Sequence, residues 1–129
     1  MMANTKACTP EIQAGRLSKA NQFLRAADLI AESIDDDELA DAYITLCVHA
    51  GVAAADVICC AKQQEHSISP NHKNAVVFLA IVDHPNSVHL NTLIDMKTHA
   101  GYTEIASTPE LCKSAGVAAA ALVQAARLV

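Results

Sequence analysis

The chain has 129 residues, of which 52% are apolar, 3% are aromatic and 18% are charged, and its formal net charge is −5. This length predicts one domain that buries a core without disulfide or metal cross-links. The acidic balance and the lack of any Lys/Arg cluster argue against strong DNA binding and weaken the case for RNA, since nucleic-acid affinity rests on several basic phosphate contacts. A composition rich in alanine and poor in aromatics favours closely packed helices over a sheet.

The N-terminal residues 1–8 are expected to be disordered or loosely ordered, and they lack the apolar core of a secretion signal. The first helix is predicted to begin in "TPE". There Thr9 caps the helix, Pro10 suits its first position and Glu11 suits its positive end. The apolar residues that follow recur every three or four positions and predict one buried stripe. This stripe consists of Leu17, Ala20, Leu24, Ala27, Ala31 and Ile34.

The second predicted helix, residues 39–63, is the most apolar part of the chain. The acidic stretch "DDDE" at 35–38 before it is expected to form a turn and the acidic beginning of this helix. The length of the apolar run approaches that of a membrane span. His49 and Asp56 would be costly in lipid, so we predict a central helix of a bundle and no membrane association.

Three further helices are predicted in the second half of the chain. Ser69 and the proline after it are expected to start a short helix that ends before a turn at residues 83–87. A fourth helix is predicted over 88–100 and ends at Gly101, and a fifth is capped by Thr108 and runs to the C-terminus. Helices joined by short loops form antiparallel neighbours, so the prediction is an all-α, up-and-down bundle of four to five helices.

The five cysteines do not suggest a disulfide framework. Their number is odd, no CxxC motif occurs, and Cys59 and Cys60 are adjacent. Adjacent helical residues point about 100° apart, which discourages a bond between these two. We therefore expect reduced cysteines and a cytoplasmic location.

The stretch "DMKTHAGY" at residues 95–102 is the first candidate for chemistry. His99 lies close in sequence to Lys97 and Tyr102, and histidine is the usual general base near neutral pH. In this interpretation His99 titrates in function or donates to a phosphate. The alternative is a histidine that is only favoured by the negative end of a helix.

Asp56 is the second candidate, because a carboxylate within "VAAADVICC" is costly unless it is paired. We expect it to pair with a Lys or His of a neighbouring helix rather than to act in catalysis. His49 lies seven residues earlier on the same helix face, so both residues could line one groove.

No metal site and no cofactor are predicted. The chain has six histidines, but His66 and His72 are six residues apart, and His84 and His89 are five apart. Helical metal-binding pairs use spacings of three or four.

Two long segments resemble the HEPN superfamily, and in particular its small actinobacterial members of unknown role. They are "VHAGVAAADVICCAKQQEHSISPNHKNAVVFL" and "LIDMKTHAGYTEIASTPELCKSAGVAAAALVQAARLV". The resemblance covers about residues 15–129 and has three main features. Asp56 lies on a helix of small residues, His72 opens a helix that continues as "AVVFL", and Lys97-x-x-Ala100-x-Tyr102 precedes an alanine-rich last helix.

The resemblance implies a helical bundle that often forms a two-fold dimer. Many members are metal-independent ribonucleases with an Arg, a gap of four to six residues, and a His. The His moves the proton of the RNA 2′-hydroxyl, and the Arg stabilises charge on the phosphate. Many members are toxins paired with a nucleotidyltransferase antitoxin. In this chain Thr92, Leu93 and Ile94 occupy the positions where an Arg would precede His99.

The main prediction is therefore a catalytically degenerate HEPN-like domain over residues 9–129. It would act through a homodimer, a nucleotidyltransferase-type or other protein partner, or a small ligand, in a toxin–antitoxin, phage or stress-defence context. The residues expected to line its ligand groove are Asp56, Tyr102, His49 and His72. One alternative is a ribonuclease toxin with a rearranged site at His99 and Lys97, and another is a purely structural or regulatory bundle.

Overall fold

The computed structural model describes residues 4–33 and 38–129. Within these residues the chain forms five α-helices and two short β-strands. In chain order they are β1 (Thr5–Ala7), α1 (Pro10–Ser33), α2 (Ala40–Gln63), β2 (Glu65–Ser67), α3 (His72–Ala80), α4 (His84–Tyr102) and α5 (Pro109–Arg127). The predicted all-α class and helical-bundle architecture are confirmed.

Helix α2 is the central element, because it packs against all four other helices and against β2. Its small side chains let the neighbouring helices approach closely. In the described part of the chain it is the one helix that is long and apolar enough to cross a membrane, and most of it is buried within the bundle. This burial fits the predicted role of a central core helix.

The core contains large aliphatic side chains from α3, α4 and α5 that pack on the alanines of α2. The fully buried leucines among them are Leu79, Leu90, Leu93 and Leu122. Gly51 of α2 lies where two of them meet. A Cβ atom added there would overlap the Cδ1 atom of Leu93 and would lie 3.2 Å from the Cδ1 atom of Leu122. The glycine therefore allows α2, α4 and α5 to come together.

The predicted stripe on α1 is buried only in part. Ala20 and Ala27 are fully buried, Leu17 and Leu24 are partly buried and packed against the core, and Ala31 is exposed. Small residues bring the middle of α1 close to α2, whereas Ala31 near its end faces away from the core. Ile34, the last residue of the stripe, lies outside the described residues, as do Asp35, Asp36 and Asp37 of the acidic stretch.

Two helix starts were predicted correctly from local capping patterns. The Thr9 hydroxyl accepts a hydrogen bond from the Ile12 backbone N–H at 3.2 Å, and the Thr108 hydroxyl accepts one from the Leu111 N–H at 3.2 Å. Each threonine precedes a proline that needs no hydrogen-bond partner at the first helical position.

The predicted start of α3 is wrong by two residues. The cap is Asn71, whose side-chain oxygen accepts from the Lys73 N–H at 3.0 Å. The buried Ser69 hydroxyl instead accepts from the Asn71 N–H at 3.2 Å and from the Asn74 side-chain amide at 2.9 Å. Ser69 therefore fixes the loop before the helix.

The predicted bounds of α4 are also too narrow at both ends. Asp83 caps the helix by accepting from the Asn86 N–H at 3.2 Å, so residues 84–87 are helical rather than part of a turn. Gly101 does not end the helix, which continues to Tyr102. A glycine terminates a helix by adopting a left-handed conformation, and no described glycine has a positive φ.

Residues 5–7 belong to the N-terminal segment for which loose order was expected. They form β1, which pairs antiparallel with β2, with Thr5 opposite Ser67 and Ala7 opposite Glu65. Residues 1–3 lie outside the described residues. Gln64, with a left-handed φ of 58°, turns the chain back after α2 and so places β2 beside β1.

This pairing also corrects the expectation that the cysteines do not cross-link. Cys8 and Cys60 form a disulfide, with their Cα atoms 5.5 Å apart. The Cys8 N–H donates to the Gln64 carbonyl at 2.9 Å, which holds residue 8 beside the last turn of α2. The cysteines are 52 residues apart in sequence, so only the tertiary fold reveals that they meet.

Candidate functional site

A recess between α2, α3 and α4 brings together four of the six predicted site residues. They are His49, His72, Lys97 and Tyr102, and they surround a cavity of about 210 Å³. The rest of the lining consists of Thr45, Val48, Val52 and Gly101. We call this the basic recess.

The helical spacing of its residues explains how the basic recess forms. His49 lies one turn after Thr45, and the two valines that line the wall follow at helical spacings on the same face of α2. Lys97 comes from the last part of α4, and Tyr102 is its final residue. His72 is the first residue of α3 and follows the capping residue Asn71.

Lys97 and His72 are in direct contact at the floor of the basic recess. The Lys97 Nζ atom lies 3.3 Å from the His72 Nδ1 atom. An ammonium group has no lone pair, so Lys97 donates and a neutral His72 accepts, which leaves the proton of His72 on Nε2. Burial, with Lys97 and His49 nearby, lowers the pKa of His72 below its ordinary value and favours this neutral form.

The lining of the basic recess contains no carboxylate. Within the part of the chain that the structure describes, Lys97 also has no ion pair with an acidic side chain. The neighbouring Lys73 is different, because it is paired with Asp95 and also bonded to Asn91. Lys97 therefore places a positive charge in the recess that no described side chain neutralises.

His49 and Tyr102 lie at the outer edge of the basic recess. The His49 ring packs on the Phe23 ring of α1, with 5.2 Å between the ring centroids. This contact limits the rotation of an otherwise exposed imidazole. Tyr102 is 80% exposed, so it forms part of the rim and not of the wall.

The structure places His99 in a different cleft from Lys97. His99 lines a cleft together with Thr92, Asp95, Met96 and Leu111, and its Nε2 atom lies 3.5 Å from the Ala106 carbonyl. Residues two apart on a helix point to different sides. The two residues predicted as catalytic are therefore not brought together, and the cleft of His99 contains a carboxylate.

Asp56 is also outside the basic recess. It is paired, but its main partner is an arginine of α1 and not the Lys or His of a neighbouring helix that was predicted. Its Oδ2 atom accepts from the Arg16 Nε–H at 2.9 Å, and its Oδ1 atom lies 3.9 Å from the His66 Nδ1 atom. It shares a face of α2 with His49, but seven residues of helix separate the two by about 10 Å. Around Asp56, helix α2 is covered by α1 and β2, which carry Arg16 and His66.

The electrostatics around Asp56 are those of a structural pair. Burial raises the pKa of Asp56, and the positive charges of Arg16 and His66 offset part of that rise. In the described structure the His66 Nδ1 atom is buried and makes no hydrogen bond. The partner of Asp56 lies 40 residues away, so no local pattern could identify it.

One polar residue of the basic recess was missed although the sequence contained a signal for it. Thr45 precedes His49 by four residues, which puts both on one helix face. Its hydroxyl donates to the Asp41 carbonyl at 2.9 Å, and the same oxygen can still accept a hydrogen bond. In the described residues no group of three or more His, Cys, Asp or Glu side chains is arranged to hold a metal ion.

The basic recess is suited to a compact negatively charged group. Its cavity is smaller than the roughly 300–1,000 Å³ of sites for drug-sized molecules, but it has room for a phosphate, a sulfate or a carboxylate. An ammonium and two imidazoles provide donors for charge-assisted hydrogen bonds to oxygen atoms.

No family model, no curated protein and no solved structure matches this chain.

Proposed function

We propose that this protein is a HEPN-like helical module that binds a small molecule through a compact oxyanion, such as a phosphate, and does not catalyse a reaction. One observation carries the proposal. Lys97, His72 and His49 line one small cavity whose lining has no carboxylate. In a chain with a net charge of −5, this local positive region is the part suited to an anion.

The donors available in the basic recess support this function. Lys97 has N–H groups beyond the one that faces His72, and the Nε2–H of neutral His72 is a further donor. His72 also begins α3, whose positive end favours an anion. The carboxyl end of α4 carries a partial negative charge of about half an elementary charge. The full positive charge of Lys97 is larger, so the recess remains positive.

Two features support a binding role over catalysis. The positions where an Arg would precede His99 hold Thr92, Leu93 and Ile94. In addition, His99 lines a separate cleft and does not face the anion that Lys97 would hold. An anion in the basic recess would therefore be held without the Arg–His pair of the family's ribonucleases.

A metal-independent ribonuclease is the second candidate, and the paired imidazoles favour it. His49 and His72 could exchange protons with an RNA 2′-hydroxyl and a leaving oxygen, while Lys97 stabilises charge on the phosphate. The exposed Tyr102 offers a ring on which a base could stack. This site differs from the one predicted at His99.

The proposal also includes the biological setting that the HEPN resemblance implies. We propose that the chain forms a homodimer, has a nucleotidyltransferase-type partner and acts in defence. A ligand in the basic recess would then be the signal to which the module responds.

Calorimetric titration with inorganic phosphate tests the proposed function. We expect a dissociation constant on the order of 1 mM, which corresponds to roughly 4 kcal/mol. Lys97→Met should weaken binding at least about tenfold, because it removes a charge-assisted contact. The matched control Lys113→Met changes an exposed lysine of α5 and should leave affinity unchanged.

The outcomes separate the candidates. Binding that is equal in wild type and in Lys97→Met, or no binding of phosphate, sulfate or acetate, contradicts the oxyanion site. Incubation with single-stranded RNA in EDTA tests the second candidate. Cleavage that leaves 2′,3′-cyclic phosphate ends and is lost in His72→Gln would establish a ribonuclease.

A further inference from the structure

We propose that the Cys8–Cys60 disulfide is a reversible redox-modification site, which a dithiol reductant opens and whose opening releases β1 from the end of α2. The disulfide lies outside the basic recess. It joins β1 to the end of α2, it borders an open cleft, and the nearby buried thiols are protonated.

The disulfide is the strongest link between β1 and the rest of the molecule. β1 has three residues, and within residues 4–33 and 38–129 its one strand partner is the three-residue β2. Next to the ladder, the Cys8 N–H donates to the Gln64 carbonyl and the Ile68 N–H donates to the Asn4 carbonyl, each at 2.9 Å. A two-stranded pair of this length is marginal in water, so its persistence depends on the covalent bond.

The disulfide is also accessible to a reductant. Cys8 and Cys60 line an open cleft of about 520 Å³ at the start of α1. Cys60 is only 4% exposed, whereas Cys8 is partly exposed. A thiolate in the cleft can therefore approach the Cys8 Sγ atom.

The exchange is balanced by a reductant with two thiols. Its first thiolate forms a bond to Cys8 Sγ while the bond between Cys8 and Cys60 breaks, and the Cys60 thiolate takes up a proton. The second thiolate of the reductant then attacks the reductant sulfur that is bonded to Cys8. The new S–S bond closes the disulfide of the reductant, the bond to Cys8 breaks, and the Cys8 thiolate leaves and takes up a proton. The protein gains two electrons and two protons, and the reductant becomes a disulfide. Glutathione disulfide reverses the change by two successive exchanges.

The neighbouring thiols do not compete in this exchange. Burial raises the pKa of Cys59 to about 12 and the pKa of Cys47 to about 11. Both remain protonated near neutral pH, and only a thiolate attacks a disulfide. These two thiols therefore do not attack the bond, while external thiols can reach it.

Opening the bond changes one end of the molecule. β2 loses its neighbour β1, and His66, which lies opposite Lys6 in the ladder, gains access to water. The Arg16–Asp56 pair lies beside His66. Helix α5 packs mainly on α2 and α4, away from the strand ladder, so it serves as an internal reference.

Hydrogen–deuterium exchange of the full chain tests this inference, before and after reduction with dithiothreitol. We expect the amides of residues 5–8 and 65–68 to exchange at least about tenfold faster after reduction, and those of α5 to be unchanged. Treatment with glutathione disulfide should restore the slow exchange. Cys8→Ser should show the fast pattern without reductant, and the control Cys112→Ser should respond to dithiothreitol as the wild type does.

Two results would overturn the inference. One is five titratable thiols when the chain is treated with glutathione disulfide, desalted and then unfolded in denaturant, which would mean that the bond does not form. The other is exchange at residues 5–8 and 65–68 that reduction leaves unchanged. The dithiothreitol comparison uses the unaltered sequence, so it decides the question even if Cys8→Ser fails to fold.

Discussion

At the scale of single residues, Asp56 and Lys97 differ in the charges around them. Asp56 is nearly buried and has the Arg16 guanidinium at 2.9 Å. Lys97 contacts His72 and, in the described structure, no carboxylate. A buried charge is tolerated when it is paired, so Asp56 has a structural role. The charge of Lys97 remains available to a ligand.

Arg16→Met should destabilise the protein, because it leaves the Asp56 carboxylate buried without its strongest partner. Breaking a buried pair costs roughly 3–5 kcal/mol, and since the Arg16 side chain is 33% exposed we expect about 1–3 kcal/mol. Urea denaturation at pH 7 measures this loss. The control Arg25→Met alters an exposed arginine of the same helix and should change stability by less than about 0.5 kcal/mol.

The pH dependence of this variant gives a second check. Without Arg16 the folded-state pKa of Asp56 rises further above its unfolded value, so the folded state binds the proton more tightly. The stability that the variant lacks at pH 7 should therefore return as the pH falls through that raised pKa. If the variant were less stable than the wild type by the same free energy of unfolding at every pH from 7 to 4, the role given to Asp56 would be contradicted.

His72 should make sulfate binding depend on pH. The groups that face it are Lys97 of α4 and His49 of α2, while Lys73 on its own helix is paired with Asp95. In the free protein the pKa of His72 is lowered, and a bound anion raises it, so binding takes up a proton. Affinity should fall by up to about tenfold per pH unit as the pH rises between these two pKa values.

Calorimetry at several pH values measures this effect, with sulfate as a probe that does not itself titrate in this range. His72→Gln keeps a donor but cannot take up a proton, so its pH dependence should be weaker than that of the wild type. His84→Gln is the matched control, since His84 lies outside the basic recess. An unchanged pH dependence in His72→Gln would contradict this account.

At the scale of elements, local patterns predicted the helices because caps and apolar spacing act within a few residues. Thr9 and Thr108 were identified in this way. The strands were missed because three residues are too few to show a period and their partners lie about 60 residues away in sequence. The Cys8–Cys60 bond depends on that pairing, and so it was missed for the same reason.

Helix packing at Gly51 leads to a prediction about two alanine substitutions. Gly51→Ala puts a methyl group against Leu93 and Leu122, and both leucines are fully buried and cannot move into solvent. We expect a net loss of about 1–2 kcal/mol, because overpacking costs roughly 1–3 kcal/mol and alanine recovers up to about 1 kcal/mol of helix propensity. Thermal and urea denaturation measure the effect.

Gly15→Ala is the matched control, because a Cβ atom at Gly15 of α1 meets no other atom within 4 Å. It should stabilise the protein by roughly 0.5–1 kcal/mol through helix propensity alone. Equal effects of the two substitutions would show that α2 does not pack as closely against α4 and α5 as described.

At the scale of the whole molecule, the sequence predicted the residues of the basic recess better than their grouping. His49, His72, Lys97 and Tyr102 were all proposed and do meet. Asp56 and His99 were proposed with them and lie elsewhere. A residue type indicates what a side chain can do, whereas the rotation of a helix against its neighbours determines which side chains share a cavity.

A homodimer remains a prediction for the whole molecule. The family resemblance implies a two-fold dimer, and several large apolar side chains are exposed on the described surface, among them Leu29, Val77, Ile81, Val88, Ile105 and Val117. Sedimentation equilibrium in the presence of dithiothreitol should give twice the chain mass of 13.6 kDa. The reductant excludes dimers linked by disulfides, and a mass of one chain both with and without dithiothreitol would contradict the prediction.

The most direct test of the oxyanion site is a titration with sulfate that follows the imidazole nitrogens of all six histidines by NMR. We predict that the signals of His49 and His72 move together and saturate, because these two line the basic recess. The signals of the other four, His66, His84, His89 and His99, should stay in place. The account would be contradicted if the His72 signal did not move, or if the His99 signal moved while the His72 signal stayed in place.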